Sequence, residues 1–150
     1  MTAREPLATA IWEADRHLDT LESALRDWGA APAANLPELE ANAEKLRLLD
    51  QLLFRFTKLQ DAVGLRLVPA TLAALSEPFE EWPMIDRLNR LEKLGFVNVD
   101  DWLRWREIRN RLAHEYPDAP DIRFAAIETA VAAAHGLATA YRSWRAHLNR

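Results

Sequence analysis

Eight prolines and four glycines divide this chain into stretches whose apolar residues recur every three or four positions, and that spacing limits the fold more than any other feature. Alanine and leucine supply about a third of the 150 residues and β-branched residues are sparse, which favours helices over a sheet. The punctuation predicts five helical segments. The first runs from about Pro6 to Trp28, with Gly29 closing it. The second opens at Pro37 and extends to Leu75, bent or divided by Gly64 and Pro69. The third covers Met84–Leu94 and ends at Gly95. The fourth starts at an Asp100–Asp101 N-cap pair and continues to Glu115 or Tyr116, before Pro117. The fifth runs from Asp121 onward, with an Ala-rich stretch (Val131–Ala134) that lets another backbone come close. Phe96–Val99 is too short and isolated for a strand. The expected architecture is a single domain, an all-α antiparallel bundle of about five helices.

A domain of this length needs no covalent staple. The absence of cysteine excludes a disulfide framework, a thiolate nucleophile and any sulfur-based metal site. The four histidines (His17, His114, His135, His147) are too scattered for a preformed metal cage. No basic leader precedes an apolar core, because Glu13 and Asp15 interrupt the only early apolar stretch. The longest uncharged tract, Thr129–Tyr141, falls short of the ~20 apolar residues of a membrane helix. A cytoplasmic location without membrane association is the expectation.

The net charge of −4 gives the whole molecule no attraction for nucleic acid, but the distribution is uneven. Residues 1–50 carry ten acidic and five basic side chains, whereas Arg104, Arg106, Arg109 and Arg111 face Glu107 alone within 102–114. An anionic partner is therefore expected on a small part of the surface.

The same stretch holds the residues best suited to chemistry. On a helix of about 100° per residue, Trp102, Trp105, Ile108 and Leu112 form one apolar stripe. Arg109 falls inside that stripe and Tyr116 points nearly the same way. An arginine aimed along a buried face must be paired or reach a solvated cleft. Asn110 and His114 share a neighbouring face, while Arg109 and His114 diverge by about 140°. They converge only if the helix end distorts or a second copy supplies one of them. A guanidinium neutralises phosphate oxygens bidentately, and an imidazole exchanges protons near neutral pH, so the set suits phosphodiester cleavage without a metal or other cofactor. Each residue also has a plainer reading: Arg109 as a salt-bridged side chain, His114 as a cap of terminal carbonyls.

Arg109-x4-His114-x-Tyr116, with Asn110 directly after the arginine, resembles the signature of the HEPN superfamily of helical ribonucleases. It is most similar to HepT-type toxins, which are paired with a minimal nucleotidyltransferase antitoxin. The resemblance covers roughly residues 40–145 and leaves 1–36 outside it. It implies a metal-independent endoribonuclease that acts on RNA as a homodimer, the two motifs meeting at the interface. Arg109 would then polarise the scissile phosphate, His114 would act as general base or acid, and Asn110 would orient the site. Tyr116 would be the residue adenylylated by the antitoxin, which places a phosphate beside Arg109 where RNA has to bind.

Other residues are weaker candidates. Arg106 and Arg111 flank the motif; Arg55 and Lys58 lie off the apolar stripe of the second segment (Leu49, Leu52, Phe56, Leu59, Val63, Leu67), solvated or in contact with RNA or the antitoxin. Gln60 points into that stripe, as a hydrogen-bonded core amide or a polar group facing the cleft. Arg87, Arg90 and Lys93, partly balanced by Asp86 and Glu92, read as a solvated face. Trp102 and Trp105 read as core or dimer contacts and His135 as a packed histidine. No Gly-rich phosphate loop, H-E-x-x-H or nucleophile elbow occurs. The reading from a different class is a non-catalytic protein that binds a nucleotide or serves as the substrate-binding partner of a nucleotidyltransferase; a helical scaffold without a ligand is the third.

Overall fold

A computed structural model of the chain describes residues 4–112 and 119–149. The elements are α1 (Arg4–Ala30), α2 (Leu36–Glu40), α3 (Ala43–Ala62), a π-helical stretch (Val63–Leu67), α4 (Val68–Ala74), α5 (Met84–Lys93), α6 (Val99–Arg111) and α7 (Pro120–Leu148). No strand occurs among the described residues, and the all-α bundle expected from the sequence is what forms.

The expected second segment, Pro37 to Leu75, breaks where no proline or glycine stands. Asn35 caps α2, its side chain accepting from the Glu38 N–H at 2.9 Å. Asn42, which follows the Ala41 cap of that short helix, starts α3 in the same way, accepting from the Lys45 N–H at 3.0 Å. An asparagine side chain imitates the missing backbone acceptor, so it opens a helix as firmly as proline closes one. At Gly64 and Pro69, the expected points of division, the helix does not end but changes register, from α3 through the π stretch to α4. The Val68 N–H bonds the Val63 carbonyl five residues back, and this π register carries the helix past Pro69, whose ring would crowd the i−4 carbonyl of a regular α-helix. A third asparagine, Asn98, caps α6 by accepting from the Asp101 N–H; Asp100 and Asp101 occupy the first turn instead of the cap.

Two helix ends take left-handed residues. Gly95 (φ 89°) closes α5 with the Phe96 N–H returning to the Leu91 carbonyl, a Schellman arrangement. Ser76 (φ 60°) closes α4 in the same way, the Glu77 N–H bonding the Leu72 carbonyl.

The long helices pack in alternating directions. Helix α1 runs antiparallel to α3 and the π stretch, with His17 beside Arg55 and Glu13 beside Arg66. Helix α7 runs alongside α3 and α4 in the same direction, tied to the end of α2 by Arg123–Glu40 and to α4 by the Trp144 Nε1–H donating to Thr71 Oγ1. Helix α6 runs back against both. Trp102, Trp144, Tyr141, Phe56, Leu52 and Leu59 are fully buried where these helices meet. At about 25 cal/mol per Å² of apolar area removed from water, aromatic side chains of this size dominate the cohesion of the bundle.

Candidate functional site

Two tryptophans set the position of α6. The Trp102 indole lies over Gly64, where an added Cβ would meet its Cζ2 at 3.1 Å. The Trp105 indole lies over Gly136 of α7, where an added Cβ would meet Cζ2 at 3.0 Å. Each glycine removes the one atom that would hold the indole off its helix. The expected core role of Trp102 and Trp105 is met, and their packing fixes the rotation of α6.

That rotation carries Arg109 toward α3, where its guanidinium meets Asp61. Nη1 donates to Oδ1 and Nη2 to Oδ2 at 3.3 Å, a two-pronged pair. Both side chains remain about 30% exposed (30% and 31%), so the pair stays within reach of solvent. Asp61 is the residue that sequence reasoning missed. The signal was present in the requirement that an inward arginine have a partner, but the chain offers 23 acidic side chains and only the fold selects one.

The remaining motif residues divide. Asn110 and Arg111 are exposed on the last turn of α6, and Arg111 pairs with Glu107. Arg106 is exposed, with no carboxylate partner among the described residues. His114 and Tyr116 lie outside the described residues. The basic character of 102–114 is largely cancelled, because Arg104 pairs with Asp101 at 3.1 Å, Arg109 with Asp61 and Arg111 with Glu107.

The residues proposed on the second segment do not behave alike. Lys58 is exposed one turn from Asp61. Arg55 is half-buried, not freely solvated, and its Nη1 donates to Nδ1 of His17 across α1 at 2.9 Å. Gln60 is buried to 2% exposure, but both amide atoms lack a partner among the described residues, as does the Trp102 indole nitrogen. The expected hydrogen-bonded amide is therefore not seen there. His135 is exposed on α7; its neighbours Ala133 and Ala134 take the buried positions.

Tyr141, the second tyrosine of the chain, has a structural post. Its hydroxyl donates to Asp15 Oδ1 at 2.7 Å, and burial together with that carboxylate pushes its ionisation far above the ordinary tyrosine range. Among the described residues no three His, Asp or Glu side chains gather as metal ligands, and no helix is long and apolar enough to cross a membrane. No protein-family model matches the chain, nor does any curated protein or solved structure.

Proposed function

We propose that the protein is a metal-independent endoribonuclease toxin of the HepT kind, working as a homodimer in the cytoplasm and controlled by a nucleotidyltransferase antitoxin through Tyr116. One observation carries the reading: Arg109, the arginine of the R-x4-H-x-Y string, stands on the last turn of α6 with its guanidinium partly exposed and held by two prongs on Asp61. A phosphodiester reaching that guanidinium would replace one oxyanion, the Asp61 carboxylate, by another of matching two-pronged geometry. In the reaction, the ribose 2′-oxygen bonds to phosphorus as the P–O5′ bond breaks, leaving a cyclic phosphate and a 5′-hydroxyl. Arg109 offsets the growing charge on the phosphoryl oxygens, and His114 takes the 2′-hydroxyl proton or donates one to the leaving oxygen. Asn110, exposed beside Arg109, orients the strand.

The experiment is cleavage of total RNA in EDTA by the purified protein, with His114→Ala and Arg109→Ala run beside it and the intact mass recorded. Loss of cleavage in both folded variants is the expected result. Cleavage at the parental rate by either variant would remove that residue from the mechanism.

The Arg109–Asp61 pair also favours a second reading, in which it ties α6 to α3 in a non-catalytic nucleotide-binding module. That reading requires unmodified parent protein to leave RNA intact while forming a stable complex with a nucleotidyltransferase.

A further inference from the structure

Among the described residues eight arginines meet a carboxylate; of the cations that do not, three lie together. Arg16 on α1 and Arg55 and Lys58 on α3 have no acidic partner within 4 Å among the described residues. Glu13, whose charge acts on the neighbouring His17, is held by Arg66 at 3.0 Å. The group between them is His17, whose Nδ1 is occupied by the Arg55 N–H. A neutral ring bonded in that way carries its proton on Nε2, so the cluster offers donors and no free acceptor nitrogen. Arg55 also keeps a buried Nε–H without an acceptor among the described residues.

Two aromatic rings flank these donors and face solvent. Trp12 is 61% exposed, with the Arg16 guanidinium 4.7 Å from its ring centre. Phe54 is 52% exposed, with Arg55 at 5.6 Å and Lys58 at 5.5 Å. Exposed rings beside cations leave an open face on which a planar base can stack. Cations beside stacking platforms form the usual surface for single-stranded nucleic acid, since phosphates meet the donors and bases lie on the rings. Position along α3 joins the cluster to the motif. Arg55, Lys58 and Asp61 are spaced three apart and form one ridge, about 9 Å long, that ends at the carboxylate holding Arg109.

We propose that the α1–α3 face around Arg16, His17, Arg55 and Lys58 is a binding track for the sugar–phosphate backbone of single-stranded RNA, with Trp12 and Phe54 as base platforms leading to Arg109. The track deepens the nuclease reading and rests on it for RNA as the substrate. It runs through residues 1–36, outside the resemblance, and so assigns that segment a role.

The test uses the full chain and a fluorescent oligouridylate of about 12 nucleotides, 2′-O-methylated so that it cannot be cut. Binding is followed by anisotropy between about 50 and 200 mM salt, where phosphate contacts are lost. Arg16→Glu and Lys58→Glu, both at exposed positions, should each weaken binding about tenfold and flatten the salt dependence. Trp12→Ala should weaken it about tenfold with the salt dependence intact, as expected for stacking. Lys93→Glu on α5 makes the same charge change elsewhere and should alter binding less than about twofold. Parent protein that ignores the strand, or Arg16→Glu and Lys58→Glu variants that bind like Lys93→Glu, would overturn the track and leave the patch to an acidic protein surface. The two readings fail separately. A strand held on this face but never cut when its 2′-hydroxyls are restored overturns the nuclease and keeps the track. RNA cut equally by parent and by every charge-reversed variant, with binding unchanged, overturns the track alone.

Discussion

At the scale of single residues, two positions carry a measurable cost. Ser76 holds a left-handed backbone (φ 60°) at the end of α4, where a Cβ crowds the following carbonyl and glycine does not. Ser76→Gly should therefore raise stability by about 0.5–1 kcal/mol, read from the midpoint of urea unfolding. An unchanged or lower midpoint would mean that the serine side chain returns what its backbone loses. His17 carries the second cost. Its burial, then the Arg55 charge, hold its pKa below the ordinary value, with Lys58 and Arg16 acting in the same direction and Glu13 opposing them. The unfolded chain therefore binds the proton first as pH falls through about 6.5, and folding stability drops until the folded-state pKa is passed. His17→Gln should flatten that part of the stability profile between pH 7 and pH 5, and an identical slope in the variant would place the acid sensitivity elsewhere. The same titration reports on the inferred track, because a phosphate beside His17 would raise its pKa and make the ring a second charged donor.

At the scale of elements, glycine has opposite roles in different helices, and one substitution exposes the difference. Gly29, in the last turn of α1, has open space around it, so Gly29→Ala should stabilise by up to about 1 kcal/mol through helix propensity alone. At Gly136 the new Cβ would meet the Trp105 indole at 3.0 Å, and the ring is enclosed by core. Gly136→Ala should therefore destabilise by about 1–3 kcal/mol despite the gain in propensity, and should shift Arg109, one turn beyond Trp105, off Asp61. Thermal unfolding of both variants decides it; equal signs would mean that α6 adjusts without resistance. The tryptophan stripe was legible in the sequence because an apolar period of 3.6 is a local property. So was the inward direction of Arg109. The glycines that receive those rings were not, since nothing near Gly136 in sequence names Trp105 as its neighbour. The break at Asn42 was hidden for another reason: asparagine is a helix start only where the preceding turn has already ended, and composition reads it as an ordinary polar residue. Asp61 and His17 were found only by contacts across 48 and 38 residues.

At the scale of the whole molecule, the question is whether one copy of the chain can complete the site. On a regular α6 continuation, Arg109 and His114 would leave the helix about 140° apart, too far to hold one phosphate between them. Arg109 is already committed to the α3 side through Asp61, which fixes one of the two directions. The proposed twofold pairing of chains would resolve the divergence, because each composite site would then take its arginine from one copy and its histidine from the other. Mixing two inactive proteins tests this without any structure of the dimer. Arg109→Ala and His114→Ala variants, exchanged at equal concentration, form mixed dimers in half of the population. Each mixed dimer has one site with both residues intact and one with neither, so the mixture should recover about a quarter of the parental RNA cleavage. Sites built within a single chain would stay dead in the same mixture. The recovered fraction should also rise with protein concentration up to that ceiling, since association sets how many composite sites exist. A recovery that is absent at every concentration, while each variant remains folded and dimeric, would assign the whole site to one chain and require α6 to distort before Pro117.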